Sequence, residues 1–297
     1  MKSLLIFLKA LLSAVLIVLL VKAFAFTSCS IPSSGMENTL YQGEKVLVNK
    51  WSYGLRLPFT GSHFLPEKVK KGDVVLFNNP NPADRSLSVY AREVYISRCV
   101  GLPGDTLMLN KELVATHERP YSPDAKMLYT YPHEQEDTLQ TAMQALGITN
   151  NRLVGYAEGR YIRSFSPYEL YLLKQKLGYA LDLKSVQHAD STDSHPFVVP
   201  AKGKAVKVYP WNLTLLCNTI RHHEGREVMV KNDSLWVDGK AVSSYVFRKD
   251  YYWMASNNPV NLSDSRLFGW VPHDHLIGKA FCIWYSNRKN RIFQPIQ

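Results

Sequence analysis

The apolar segment at the N-terminus is the feature that most constrains how this 297-residue chain can fold. Residues 4–26 read LLIFLKALLSAVLIVLLVKAFAF, and their only charges are those of Lys9 and Lys22. A helix of about 20 apolar residues crosses a hydrocarbon core of roughly 30 Å. The segment therefore predicts a transmembrane anchor over residues 1–26.

Two alternatives to an anchor are open. One is a cleaved secretory signal, because the apolar core between the two lysines is short, and the other is a lipoprotein signal that ends at Cys29. All three interpretations export the rest of the chain, which has no second apolar stretch of about 18 residues. We therefore expect a single-pass protein of the cell (inner) membrane. Lys2 and Lys9 favour a cytoplasmic N-terminus, which places the residues from Thr27 onward on the extracytoplasmic side.

The composition is that of a globular protein. Hydrophobic residues make up 46% of the chain and charged residues 20%, which excludes a disordered or collagen-like protein. The net charge of +10 fits work beside anionic membrane lipid, and nucleic acid is disfavoured as a partner because the chain is predicted to be exported. The four cysteines, Cys29, Cys99, Cys217 and Cys282, are far apart and lack the C-x-x-C spacing of a zinc site. They are therefore expected either to form disulfides or to be buried as free thiols.

The residues after the apolar segment divide into three regions. Residues 27–110 and 224–297 contain short runs rich in Val, Ile and Tyr between turn residues, which predicts strands. Residues 111–223 differ, because apolar residues at helical spacing from Leu139 to Leu146 predict a helix capped by Asp137. Ser166-Pro167-Tyr168-Glu169 is a capping box that predicts another helix, and a third is predicted after Pro210. The pattern predicts a mainly β protein with an inserted α/β subdomain over residues 111–223.

Four sequence blocks stand in an order that is specific to one known family. They are IPSSGMENTL at residues 31–40, KGDVVLF at 71–77, YISRCVGLPGD at 95–105 and DSRLFGWVP at 264–272. Together they resemble the type I signal peptidases, and the first and third blocks resemble the family's segments for the nucleophile and the general base. The structural residues of these blocks are present, namely Gly72, Asp73, Arg98, Gly101, Pro103, Gly104, Asp105, Asp264 and Arg266.

The resemblance implies a coiled β-sheet with a shallow groove for an extended peptide, and no metal or cofactor. A peptide is expected to bind as an added strand, with pockets for small side chains. Within this groove we expect contacts from Ile31, Pro32, Ser33 and Met36. The implied partners are membrane lipid, the signal peptides of exported preproteins and an active signal peptidase paralogue.

The chain departs from the family at the positions that carry the chemistry. The family's catalytic serine stands immediately before the methionine, where this chain has Gly35. The family's lysine base stands before the arginine of the third block, where this chain has Ser97. A serine that orients the lysine is expected at the position of Leu262, and the block around it is one residue longer than usual. Serine needs a base of lowered pKa to become a nucleophile, so losing both groups predicts an inactive enzyme.

Ser34 is the candidate for a replacement nucleophile that lies nearest to the family's position. It is displaced by one residue from the family's position, which in an extended segment turns its side chain toward another face. The neighbouring Ser33 occupies the family's oxyanion-stabilising position, so a cradle for a carbonyl oxygen is expected to survive.

Three hypotheses follow for the function. The first is a non-catalytic membrane protein of the export pathway that binds signal peptides or an active paralogue without cleaving. The second is an active serine endopeptidase that removes signal peptides with Ser34 or a residue brought from the insertion. The third is a lipid-anchored binding protein processed at Cys29.

Overall fold

The computed structural model describes most of the chain and is built mainly of β-strands. The described residues are 2–20, 25–56, 63–64, 68–110, 113, 122, 124–148, 151–178, 181–186, 194–261 and 263–296. Their helices are α1 (Lys2–Leu20), α2 (Glu136–Ala145), α3 (Pro167–Leu177), α4 (Leu213–Thr219) and α5 (Ser265–Phe268). The expectation of a mainly β protein is confirmed.

The described strands follow the chain in this order: β1 (Phe26–Ser30), β2 (Lys45–Asn49), β3 (Leu55–Arg56), β4 (His63–Phe64), β5 (Val74–Asn78), β6 (Val94–Gly101), β7 (Thr106–Leu109), β8 (Met127–Pro132), β9 (Gly155–Ala157), β10 (Arg160–Phe165), β11 (Lys184–Ser185), β12 (His195–Val198), β13 (Ala205–Lys207), β14 (Val228–Lys231), β15 (Ser234–Val237), β16 (Lys240–Val242), β17 (Ser244–Val246), β18 (Tyr251–Ala255), β19 (Val271–Pro272) and β20 (Leu276–Tyr285).

A seven-stranded antiparallel sheet joins the two ends of the chain. Its strand order is β1-β2-β20-β5-β6-β18-β19, so β20 from the end of the chain lies between two strand pairs from its first third. Alternate residues of β2 face inward, and Val46 and Val48 pack with Ile31, Met36 and Leu40 in one hydrophobic core. This core fixes the segment after β1, which carries the candidate site.

The sequence signals for turns are confirmed in the last third of the chain. Strands β14, β15 and β16 form a meander. Asn232 and Asp233 connect the first two at φ 49° and 52°, as a two-residue hairpin of the mirror-image type requires. The meander packs on α4, where Leu213 and Leu216 are buried in one core with Leu235. The helix predicted after Pro210 is thereby confirmed as α4.

Residues from the predicted insertion form their own sheet and core. The sheet has the order β11-β8-β10-β9, and α2 and α3 cover a core that includes Tyr131, Leu139 and Leu173. The capping box at α3 is confirmed, because the Ser166 hydroxyl accepts from the Glu169 backbone N–H and the Glu169 carboxylate from that of Ser166. The boundaries of residues 27–110, 111–223 and 224–297 as domains stay predictions.

The start of α2 differs from its prediction. The helix begins one residue before Asp137, and Gln135 takes the cap position without a side-chain hydrogen bond. A one-turn 3-10 helix, His133–Gln135, leads directly into α2. Helical backbone therefore extends past the predicted cap, and Asp137 lies in the first turn, where its charge favours the helix dipole.

The prediction of a transmembrane anchor over residues 1–26 is wrong. Helix α1 ends at Leu20, and Phe26 belongs to strand β1, where it pairs with Asn49. The apolar run therefore spans a helix and the first residue of a strand. Among the described residues, no helix combines the length and the apolar character needed to cross a membrane. Residues 21–24 lie outside the described part, and export of residues from Thr27 onward stays a prediction.

The four cysteines are free thiols. Cys99 and Cys217 are buried, and Cys29 and Cys282 are half-buried. Of the two interpretations that the sequence left open, the four described cysteines follow the one with free thiols.

Candidate functional site

The segment that resembles the nucleophile block is held rigidly beside the main sheet. Ile31 is 2% exposed, its backbone N–H donates to the Glu44 carbonyl at 2.8 Å, and its own carbonyl accepts from Gly43 at 2.9 Å. The chain then forms a one-turn 3-10 helix, Ser34–Met36, and the Ser33 hydroxyl caps it by accepting from the backbone N–H of Gly35 at 3.3 Å. The predicted groove residues Ile31, Pro32, Ser33 and Met36 therefore belong to one short, anchored stretch. The role of Ser33 toward a carbonyl oxygen stays a prediction.

Gly35 stands where a side chain has no room. A Cβ atom built on this residue would lie 2.7 Å from the backbone carbonyl oxygen of Asn261, closer than real Cβ contacts come. The Gly35 carbonyl also accepts from the Asn258 N–H at 3.0 Å, which fixes the two segments together. The loop that carries the family's last block thus occupies the space of the missing nucleophile.

We expect Gly35→Ala to lower the free energy of unfolding by about 1–3 kcal/mol, because the added methyl group overpacks a contact with backbone. Urea unfolding followed by circular dichroism measures this change. Gly155→Ala is the matched control, since its Cβ would meet only the end of Ile162 at an ordinary 3.8 Å. Equal stability changes in the two variants would contradict the steric argument.

Ser97 is buried and already engaged. It is 0% exposed, and its hydroxyl donates to the backbone carbonyl of Ser263 at 2.9 Å. The structure therefore uses the position of the family's base for a link between β6 and the loop before α5. Leu262, the third departure from the family pattern, lies outside the described residues.

Ser34 contacts an amide and not a base. Its hydroxyl accepts from the side-chain N–H of Asn261 at 2.5 Å. Two pockets share Ser33 in their lining. The first is lined by residues of β1, and the second includes Ser34. Among the described lining residues of both pockets there is no lysine or histidine. Cys29 lines the first pocket, but burial raises the pKa of its thiol, which keeps it protonated at neutral pH. The described lining of both pockets therefore provides hydroxyl groups without a lysine or histidine that could act as their base.

The Asp264–Arg266 ion pair holds the loop over residues 256–263. Asp264 is 0% exposed, and its carboxylate accepts from the backbone N–H groups of Ser256 and Arg266 at 2.6 and 3.0 Å. The Arg266 guanidinium closes the ion pair at 2.5 Å. The hydrogen bond from Ser256 holds the start of the loop to Asp264, which directly follows its end. The pair therefore supports the segment whose Asn261 carbonyl lies against Gly35.

The other retained motif residues have structural contacts. Gly72 adopts φ 93° and its carbonyl accepts from Arg98, while Asp73 binds Lys279 at 2.6 Å.

The glycines of the third block stand where a side chain is excluded or the chain turns. A side chain at Gly101 would collide with Trp253, and Gly104 turns the chain at φ 91° beside the half-buried Pro103. Asp105 caps the same turn by accepting from the Leu102 N–H at 2.8 Å. The structure brings Arg98 within hydrogen-bond distance of Thr39, at the end of the nucleophile block.

A buried ion-pair cluster next to the site was not found by sequence reasoning. The side chain of Lys126 is 1% exposed, and its ammonium lies 2.9 Å from the Glu37 carboxylate and 3.5 Å from that of Glu169. Glu37 follows the 3-10 helix and Glu169 lies in α3, so the lysine joins the insertion to the candidate site. The partners are 89 residues apart in one case, and no local pattern links residues at that separation.

Asn257 and Asn258 were also missed as functional positions. The Asn257 side chain donates to the Glu37 carbonyl at 3.0 Å and to the Thr39 hydroxyl at 2.8 Å, and that of Asn258 donates to the Glu37 carboxylate at 3.1 Å. The only available signal was the change of sequence in the family's last block. It indicated altered chemistry without indicating which side chains hold the nucleophile block.

Two unpaired strand edges border a groove that ends at Gly35. Strand β1 is at the edge of the main sheet and, of the strands that the structure describes, pairs only with β2. In β6, residues 94–97 pair with β5 on one side. On the other side, β18 pairs with β6 only from Arg98 onward, so residues 94–97 have no described strand partner there. The pocket between these edges is lined by both strands and by Ser33 and Gly35. An extended peptide can complete the backbone hydrogen bonds of such edges.

The comparisons with known proteins agree with the order of the sequence blocks. Residues 4–163 match the family described as "Signal peptidase, peptidase S26". Signal peptidase I of Pseudomonas aeruginosa is 36% identical over 289 residues, which cover 94% of this chain and 71% of the relative. Signal peptidase I of Buchnera aphidicola subsp. Schizaphis graminum is 26% identical, with 92% and 72% covered, and that of Aquifex aeolicus is 26% identical, with 92% and 81% covered.

Proposed function

Because the chain belongs to the signal peptidase family, peptidase S26, we propose that it binds signal peptides of exported preproteins in the groove beside β1 and releases them uncleaved. The observation that carries this proposal is the position of the Asn261 carbonyl, 2.7 Å from where a nucleophile's Cβ would stand at Gly35. The strand edges of β1 and β6 support the binding part of the proposal, and the Asn261 carbonyl opposite Gly35 supports the absence of cleavage.

Binding without cleavage is also supported by the groups around the groove. Peptide hydrolysis by a serine enzyme requires a hydroxyl and a base within about 3 Å of each other. Ser34 has an amide N–H as its partner, and Ser97 donates to a backbone carbonyl. Serine proteases stripped of their catalytic groups retain only about 10³ to 10⁴ over the rate in water, which leaves a bound peptide intact on a biological timescale.

The test compares binding and cleavage of one signal peptide by the purified full chain. We expect the fluorescein-labelled peptide to bind saturably, while a fluorogenic version with the same sequence is cleaved no faster than in buffer. An active signal peptidase I serves as the positive control for the substrate. Ser34→Ala is expected to change neither result, because Ser34 only accepts a hydrogen bond from Asn261.

Two results would contradict the proposal. Cleavage by the native chain that disappears in Ser34→Ala would mean that Ser34 has become the nucleophile and that a base reaches it during catalysis. Absence of peptide binding, together with capture of an active signal peptidase, would mean that the partner is the paralogous enzyme and not the free signal peptide.

A further inference from the structure

A second pocket adjoins the groove and includes Ser34 in its lining. Its volume is about 400 Å³, and it shares Pro32 and Ser33 with the groove. Its lining includes Asn258 and Asn261 of the altered loop and Arg152, Leu153 and Val154 of the insertion. Because the two pockets share Pro32 and Ser33, a polypeptide bound in the groove can extend into this pocket.

The charges of this pocket favour an acidic guest. Among the described lining residues, Arg152 is the only cation and Glu37 the only anion. The Glu37 carboxylate is buried and already paired with Lys126 at 2.9 Å. Arg152 is exposed, and no described carboxylate forms an ion pair with it. The pocket therefore presents one unneutralised guanidinium, a group that binds carboxylates with two parallel hydrogen bonds.

The backbone next to Arg152 offers a place for an extended chain. The Val154 N–H donates to the Ile162 carbonyl at 2.8 Å, and the chain continues into β9, the edge strand of the insertion's sheet. Among the described strands, β9 pairs only with β10, and no described residue pairs with its outer edge. Leu153 and Val154 are 44% and 39% exposed beside this edge. An extended polypeptide can therefore lie along the insertion while its side chains reach the pocket.

We propose that this pocket is a subsite for an acidic side chain in the polypeptide segment that follows the signal peptide, and that Arg152 determines this preference. The inference rests on the proposed function, because the same polypeptide must occupy the groove. It gives residues 152–154 of the insertion a role in selecting preproteins by the charge of their mature N-terminal region.

The experiment uses three fluorescein-labelled peptides with one signal sequence, followed by two Asp, two Asn or two Lys residues. Fluorescence anisotropy with the purified full chain gives the dissociation constants. We expect the Asp peptide to bind about fivefold more tightly than the Asn peptide, since an ion pair that is partly exposed to water contributes modestly. Arg152→Glu is expected to reverse the order, so that the Lys peptide binds more tightly than the Asp peptide.

Arg85→Glu is the matched control. It makes the same change in net charge at another exposed arginine, one that lines a different pocket. Both variants lower the net charge of +10 by the same amount, so any effect of the overall electrostatic field is the same in each. We expect the Arg85 variant to keep the preference for Asp, because it leaves the side chain of Arg152 unchanged.

Each other outcome identifies what has failed. Equal affinities of the three peptides for the native chain would overturn the subsite and leave the proposed function intact. A preference for Asp that survives Arg152→Glu, or that both variants lose equally, would assign it to net charge and also overturn the subsite. If none of the peptides binds, the proposed function fails and the subsite fails with it.

Discussion

Lys126→Met is expected to lower the free energy of unfolding by about 3–5 kcal/mol, because it leaves two carboxylates without their shared cation in the protein interior. The Lys126 side chain is 1% exposed and lies 2.9 Å from Glu37 and 3.5 Å from Glu169. Methionine fills a similar volume, so the loss comes from charge and not from a cavity. Urea denaturation, followed by tryptophan fluorescence, gives the difference in unfolding free energy.

The control for this prediction is Lys71→Met. Lys71 pairs with Asp105 at the same 2.9 Å, but the lysine side chain is 56% exposed and the aspartate 30%. Water screens such a pair, so we expect a change of no more than about 1 kcal/mol. Similar losses in the two variants would show that burial of the Lys126 cluster has no special effect on stability.

The Lys126 variant has a second expected effect, on peptide binding. Glu37 follows the 3-10 helix of the nucleophile block, and its backbone carbonyl and carboxylate are held by Asn257 and Asn258. Without the lysine, the buried carboxylate is stabilised by protonation or by movement toward water. We therefore expect weaker binding of the signal peptide even under conditions in which the variant remains folded.

Asp264→Ala is expected to be equally severe, with a loss of about 3–5 kcal/mol. The substitution leaves the guanidinium of Arg266, which is 11% exposed, without its carboxylate. It also removes the acceptor for the backbone N–H groups of Ser256 and Arg266. Thermal unfolding of the purified variant measures the combined loss.

Asp264→Asn separates the two contributions to this loss. The amide oxygen still accepts from a backbone N–H, whereas the ion pair with Arg266 is gone, so we expect a stability between those of the native chain and the alanine variant. If Asp264→Ala unfolds at the same temperature as the native chain, Asp264 does not support the loop as its contacts imply.

The sequence predicted those parts of the fold whose causes are local. The capping box at Ser166 and the turn at Asn232-Asp233 fix the backbone through neighbouring residues, and both are present as expected. The transmembrane prediction failed because hydrophobicity alone does not tell where a helix ends. Phe26 is as apolar as the residues before it, yet its backbone pairs with β2. Strand pairing with a distant partner decided the conformation there.

The candidate site divides in the same way. The absence of a nucleophile at Gly35 and of a base at Ser97 is readable from residue types alone. The contact of Gly35 with the Asn261 carbonyl is not, because it joins residues that are more than 220 positions apart and depends on the path of a loop. The same holds for Lys126, whose partners come from the nucleophile block and from α3.

The close approach of Asn261 to Gly35 also bears on which substitutions position 35 tolerates. A serine there would place its Cβ against a backbone oxygen at 2.7 Å, so we expect the substitution to destabilise the protein unless the segment around Asn261 moves. A hydroxyl group can therefore be added at position 35 without strain only together with a change in that segment. The contact thus couples two positions that are far apart in the sequence.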